Sequence, residues 1–187
     1  MTNNKQIKDI QKILQYEFKN LDNLKSSLTH PSIFKNIAKS KIKYIYEFER
    51  LEFLGDRVLG LVVASLIFKK FNNYNEGDLS KKFSFLVQRE FLYKIALEIN
   101  LENFLEFKKP KKNNSSINKS ILADSFESLI GAIYIDGGYH NSYSVIKRIW
   151  SPYLNELITD VALEEKINMV DLGGNTEIVK KQLSKNG

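Results

Sequence analysis

Three carboxylates interrupt an apolar stretch of this chain in a pattern suited to holding a metal ion. Glu49, Glu52 and Asp56 lie in Glu49-Arg50-Leu51-Glu52-Phe53-Leu54-Gly55-Asp56, which continues as Arg57-Val58-Leu59-Gly60-Leu61-Val62-Val63-Ala64. Spacing of i, i+3 and i+7 brings all three to one face of an α-helix. Like charges on a half-buried face repel and lose hydration, so a compensating cation is expected there. A second pair, Asp124 and Glu127, sits in Ile121-Leu122-Ala123-Asp124-Ser125-Phe126-Glu127-Ser128-Leu129-Ile130-Gly131-Ala132. These two are again three apart on a mainly apolar segment and share a helix face. Together the helices would offer oxygen ligands suited to Mg²⁺ or Mn²⁺. Acid pairs at this spacing are common on solvated helices; what distinguishes these is that both lie in apolar segments. Neither His30 nor His140 stands in a Glu-x-x-His arrangement, which disfavours a carboxylate-bridged di-iron oxidase.

The elements that must position these acids read as helices nearly throughout. Asn4 to Phe18 has Ile7, Ile10, Ile13 and Leu14 at helical spacing, and Leu21 to Thr29 reads as a second short helix. His30-Pro31-Ser32 breaks the pattern, because proline disfavours helix in the residue before it. After a lysine-rich connector from Phe34 to Lys43, one long helix spans about Tyr46 to Phe71 and carries the first acidic cluster. A loop over Asn72 to Gly77 precedes a helix capped by Asp78 or Ser80 that runs through Phe83, Leu86, Val87, Phe91, Leu92, Ile95 and Ala96. Glu98 to Phe107 reads as a short helix, and Lys108 to Ser116 as an exposed basic loop. Asn118 to Asp136 is a helix stopped by Gly137-Gly138, followed by another over His140 to Leu157. Beyond Thr159 the pattern weakens: Val161 to Val170 suits a helix, Gly173-Gly174 breaks it, and Thr176 to Leu183 suits a final turn or two. With no repeat and no β-hairpin signal, the expected fold is all-α: one domain over residues 1–158 and a tail over 159–187.

Bulk properties narrow the chemistry. A length of 187 residues with 43% hydrophobic and 27% charged content suits one soluble domain rather than a disordered chain. The absence of cysteine excludes a disulfide scaffold, a cysteine zinc site and a thiol nucleophile. No apolar run reaches membrane-span length and the N-terminus lacks a secretory signal, so a cytoplasmic, membrane-free protein is expected. Net charge is +6, and residues 159–187 carry five acids against four bases, so the excess belongs to the part that carries the acidic cluster. A basic protein with a local acidic pocket suits a polyanion cleaved with metal help; a merely solvated lysine-rich surface is the plainer alternative.

Several segments, in order, resemble the endonuclease domain of the ribonuclease III family. Glu49 to Asp56 followed by Val58-Leu59 resembles its signature, and Ile121 to Tyr134 with Asp136-Gly137-Gly138 its second acidic motif. Leu28-Thr29-His30, Asn75-Glu76-Gly77-Asp78-Leu79-Ser80 and Val87-Gln88-Arg89-Glu90 match further family segments, so the resemblance covers roughly residues 5–158. It implies a metal-dependent endoribonuclease that hydrolyses double-stranded RNA to 5′-phosphate and 3′-hydroxyl ends in RNA processing. It would work as a homodimer with Mg²⁺ (Mn²⁺ as a substitute) and no small-molecule cofactor. By the same resemblance Glu52, Asp124 and Glu127 would hold the metal, with Asp56 and Glu127 catalytic. Glu49 and Glu76 would be supporting acids, and Phe53 a dimer contact inserted into a pocket of the partner. Lys108, Lys109, Lys111 and Lys112 are candidate RNA contacts, since duplex RNA is met mainly through phosphates, 2′-hydroxyls and shape. A noncatalytic RNA-binding or scaffold protein on the same fold is the alternative, although such a protein would tolerate loss of the acids kept here.

The chain departs from the family pattern in places. Arg57 stands where a small serine is usual, and Phe48 where a polar residue is usual. Arg57 has three open roles: pairing with Asp56 in competition with metal, contacting RNA, or pointing away. Bacterial members usually continue into a double-stranded-RNA-binding domain, whereas only 29 residues follow Ile158 here, so no complete domain of that kind is expected.

Overall fold

In the computed structural model, residues 3–34, 42–108 and 117–171 are described, and helix follows helix. The order is α1 (Asn4–Leu14), α2 (Leu21–Ser27), α3 (Ile42–Lys70), α4 (Glu76–Val87), α5 (Arg89–Glu98) and α6 (Lys119–Asp171), with short 3₁₀ turns at Pro31–Phe34 and Leu101–Asn103. Among the described residues the extended pairing is a lone bridge between Thr29 and Glu106, so the all-α expectation holds. Contacts divide the chain into two units, Met1–Ile149 and Trp150–Gly187. The first unit holds every acid singled out above. In the second, the backbone is helical to Asp171, including the stretch Val161 to Val170. Lys109 to Ser116, most of the connector after Phe34, Gly173-Gly174 and the expected turns over Thr176 to Leu183 lie outside the described residues.

Local chemistry explains most helix ends. Asn3 caps α1, accepting from the Gln6 amide at 2.9 Å while the Gln6 side chain accepts from the Asn3 amide at 3.0 Å. Burial of Ile7, Ile10 and Leu14 contributes about 2 kcal/mol per side chain to holding α1 in place. The helix ends at Leu14 rather than Phe18, because Gln15 turns left-handed (φ 48°) and its amide closes onto Gln11 and Lys12. Arg148 then donates to the Ile13 carbonyl at 2.9 Å, satisfying one of the carbonyls left at that end.

Asp136 fixes the next segment. It accepts from the Tyr16 hydroxyl at 2.6 Å and from the Lys19 and Asn20 amides, each at 2.8 Å. Burial alone would raise its carboxyl, but these donors and Asn23 outweigh it and hold the acid below its usual range. The Tyr16 phenol is pushed up, by burial and then by that carboxylate.

Further boundaries also differ from the sequence expectation. The cap of α4 is Asn75, whose side chain accepts from the Asp78 amide at 3.0 Å, so the helix starts at Glu76. The helix expected from Phe83 through Ala96 is two helices, because Gln88 is extended (φ −67°, ψ 151°). That turn lets both Leu86 on α4 and Phe91, Leu92, Ile95 and Ala96 on α5 reach the core. Glu98 closes α5, and the rest of the stretch to Phe107 holds only the 3₁₀ turn, ended by the pairing of Glu106 with Leu28 and His30. The Gly137-Gly138 stop appears as a break inside α6 at Gly138 (φ 73°), a backbone region that glycine enters without a Cβ penalty.

Candidate metal centre

The site is set by an unusually close crossing of α3 with the first half of α6. A Cβ built on Gly55 would overlap the Glu127 carbonyl oxygen and stand 2.8 Å from the Gly131 nitrogen; one on Gly131 would overlap the Leu51 carbonyl oxygen. Backbone therefore meets backbone, which only glycine permits at both positions. The buried Ser128 hydroxyl adds a bond to the Phe48 carbonyl at 3.4 Å across the same crossing. Phe48, Val58, Leu59 and Val62 of α3 and Leu122, Ala123, Phe126 and Ile130 of α6 are all buried in the core.

This crossing brings the acids of the two helices together. Carboxylate oxygens of Glu52, Asp124 and Glu127 lie within 4.8 Å of one another, each half-buried. Glu49, Glu52, Phe53, Asp56 and Glu127 line one open pocket of about 410 Å³, so the face shared by Glu49, Glu52 and Asp56 opens onto Glu127 of α6. Asp56 stands at this pocket but outside the close triplet, and its Oδ2 accepts from Arg57 Nη1.

The electrostatics are those of a site short of positive charge. Burial, then the Asp124 and Glu49 charges, push Glu52 up to about 7, with Arg89 opposing. Glu127 is likewise pushed up to about 7, by burial and then by Asp124 and Glu52, against the pull of Arg89 and Arg57. Burial raises Asp124, again against Arg89. Arg89 Nη2 stands 4.0 Å from Asp124 Oδ1 but is two-thirds exposed, too solvated to neutralise three acids. Three hard oxygen donors with uncompensated charge fit a hard divalent cation. Neither histidine joins them: His30 accepts from the Ser32 amide through Nδ1 and packs on Phe48, and His140 is exposed beside Tyr139.

Other sequence candidates fall elsewhere. Glu76 is exposed at the start of α4 and lines a separate groove of about 460 Å³ with Phe68, Lys69, Leu79 and Phe83. Phe53 is 65% exposed, so it is no part of this chain's own core, and it forms a surface stripe on α3 with Leu61 (58%) and Phe68 (71%). Lys108 is exposed, its amide donating to the Ser32 hydroxyl at 3.1 Å; Lys109, Lys111 and Lys112 lie outside the described residues. The sequence reading passed over Arg89 as a site residue. Its place beside the acids depends on the break at Gln88, for which no proline or glycine gives a signal.

Comparison with known proteins converges on one family. A family model described as ribonuclease-III-like matches residues 21–154. The chain is 42% identical over 142 residues to Ribonuclease 3 of Wolbachia pipientis wMel, covering 75% of this chain and 60% of that protein. It is 36% identical over 137 residues to Ribonuclease 3 of Methylocella silvestris, covering 73% and 55%. The chain thus spans little more than half the length of these curated relatives. Among solved structures, the nuclease domain of ribonuclease III from Campylobacter jejuni superposes with a TM-score of 0.66 at 38% identity, covering 76% of this chain and 94% of that one. The work on that domain concerns flexibility in a region involved in its dimer formation.

Proposed function

The chain belongs to the ribonuclease III-like family, and from that premise we propose that it is a metal-dependent endoribonuclease cutting double-stranded RNA. The observation that carries the proposal is the meeting of Glu52 with Asp124 and Glu127 within 4.8 Å, Glu52 and Glu127 lining an acidic pocket open to solvent. These three residues would hold the cation, with Mg²⁺ as the expected ion and Mn²⁺ as a substitute. When bound, such a cation supplies Lewis-acid chemistry, offsetting charge at phosphoryl oxygens and acidifying water.

The remaining work falls to the chain's own groups. Asp56, at the pocket but outside the triplet, orients the attacking water. Glu49 keeps the outer edge of the pocket anionic. The half-burial of Glu52 and Glu127 keeps bulk water from screening the charge that the cation meets. In-line attack with the 3′ oxygen leaving would yield 5′-phosphate and 3′-hydroxyl ends. Glu76 and Lys108, with Lys109, Lys111 and Lys112, are proposed to face the RNA.

A duplex has two strands, and a twofold pair of sites can cut one each. Support for a homodimer comes from the exposed apolar stripe of Phe53, Leu61 and Phe68 on α3, which is costly to leave in water. We assign the nuclease domain to residues 1–158, with 159–187 as a tail. No helix among the described residues is long and apolar enough to cross a membrane, and cytoplasmic RNA precursors are the proposed substrates.

The test is incubation of the protein with a blunt RNA duplex or a single strand of the same sequence, titrated with Mg²⁺, Mn²⁺ or Ca²⁺, with analysis of product ends. Duplex-selective cutting in Mg²⁺ or Mn²⁺ that leaves 5′-phosphates is expected. Failure to cut with any divalent ion would turn the reading to a noncatalytic RNA-binding protein.

A further inference from the structure

Arg57 makes contacts that the proposed mechanism leaves unused. Its Nη1 donates to Asp56 Oδ2, and its guanidinium lies over the Phe53 ring, 5.2 Å from the centroid. Its charge also reaches Glu127, which it draws down against burial. Neighbouring residues on a helix point about 100° apart and do not face each other. An Arg57–Asp56 pair therefore forms only when the long arginine side chain folds back along the surface. Phe53, one turn earlier, supplies the aromatic face that holds the guanidinium there, an arrangement that arginine's planar group favours.

We propose that Arg57 is a positioning residue: stacked on Phe53, it engages Asp56 at the pocket rim and raises the divalent-ion concentration at which the acidic pocket fills. The inference rests on reading that pocket as a metal centre. Of the three roles open to Arg57 from sequence, it selects competition with the cation. In the single chain the pair is solvent-exposed, with Arg57 66% and Asp56 44% accessible, so its effect there is a graded shift and not a switch.

The test is calorimetric titration of the full chain with Mn²⁺ alone, for the wild type, Arg57→Ser, Arg57→Lys, Asp56→Asn and the Arg57→Ser/Asp56→Asn double variant. Circular dichroism establishes that each keeps its helices. Arg57→Ser is expected to half-saturate at about threefold lower Mn²⁺, the scale of an exposed ion pair. Arg57→Lys, which keeps the charge, should recover part of the wild-type value. The Arg57→Ser effect should shrink in the Asp56→Asn background, because the two side chains act as one unit. Unchanged or weaker binding by Arg57→Ser, with the wild type binding normally, overturns the inference and leaves the metal centre standing. A threefold shift that persists in Asp56→Asn also overturns it, assigning the effect to the general field at Glu127. Absence of Mn²⁺ binding by the wild type overturns both.

Discussion

Replacing Gly131 by alanine puts a methyl group into the Leu51 carbonyl oxygen, 2.9 Å from the Leu51 carbonyl carbon and 3.2 Å from the Gly55 nitrogen. All three atoms are backbone, so no rotamer change relieves the overlap. The helices must part by roughly 1 Å, and overpacking of this kind costs about 3 kcal/mol. Alanine's better helix propensity returns about 1 kcal/mol. The net loss of about 2 kcal/mol corresponds to a fall of about 4–8 °C in Tm for a protein of this size. The same separation opens the triplet of Glu52, Asp124 and Glu127, and a misplacement of about 1 Å at a reacting centre can cost about 100-fold in rate. Gly60→Ala is the matched control, since its Cβ would meet the Phe83 ring at 3.6 Å, an ordinary contact. It should be neutral or stabilising by up to about 1 kcal/mol and keep its activity. Differential scanning calorimetry and single-turnover cleavage of an RNA duplex read both effects. A Gly131→Ala protein with wild-type Tm and wild-type metal-dependent activity would refute the argument that backbone contact at this crossing builds the site.

Further outcomes follow from the electrostatics. Glu52 and Glu127 have folded-state pKa values raised to about 7 from 4.5. The stability they contribute is therefore full below about 4.5 and lost as pH rises through about 7. Metal-free protein should melt lower at pH 8 than at pH 5.5, and Mg²⁺ should raise Tm more at pH 8; equal Mg²⁺ shifts at both values would contradict the burial of these acids. Asp136→Ala removes the acceptor for Tyr16, Lys19 and Asn20 and should destabilise the fold by about 2 kcal/mol in urea denaturation. Tyr16→Phe, which removes only one of the donors to Asp136, should cost about half as much; equal losses would mean that the amide bonds contribute nothing.

What could be read from the chain was periodic or local. Glu49, Glu52 and Asp56 share a face because helical spacing alone dictates it, and the same holds for Asp124 with Glu127. The long α3 follows from its apolar run. The meeting of the two acid pairs is tertiary: Gly55 and Gly131 are both visible in the sequence, but nothing local states that each faces the other's backbone. Asn75 outcompeted Asp78 as a cap because its side chain reaches the Asp78 amide, a choice among several good capping residues that composition does not rank. The break at Gln88 had no signal, since the apolar spacing from Phe83 to Ala96 continues through it. That break positions Arg89, and so the cation beside Asp124 was the part of the site least accessible to sequence. Tyr16 and Asp136 are 120 positions apart, a pairing that no local pattern encodes.

Glu52, Asp124 and Glu127 together are proposed to hold the cation on which RNA cleavage depends. This assignment is tested by single-turnover cleavage of an RNA duplex by wild type and Glu127→Gln across a Mg²⁺ titration, with duplex binding measured in parallel. The substitution keeps the shape of the side chain and removes one formal charge from the ligand set. Loss of cleavage with RNA binding largely retained is the expected result. Full Mg²⁺-dependent cleavage by Glu127→Gln would contradict it.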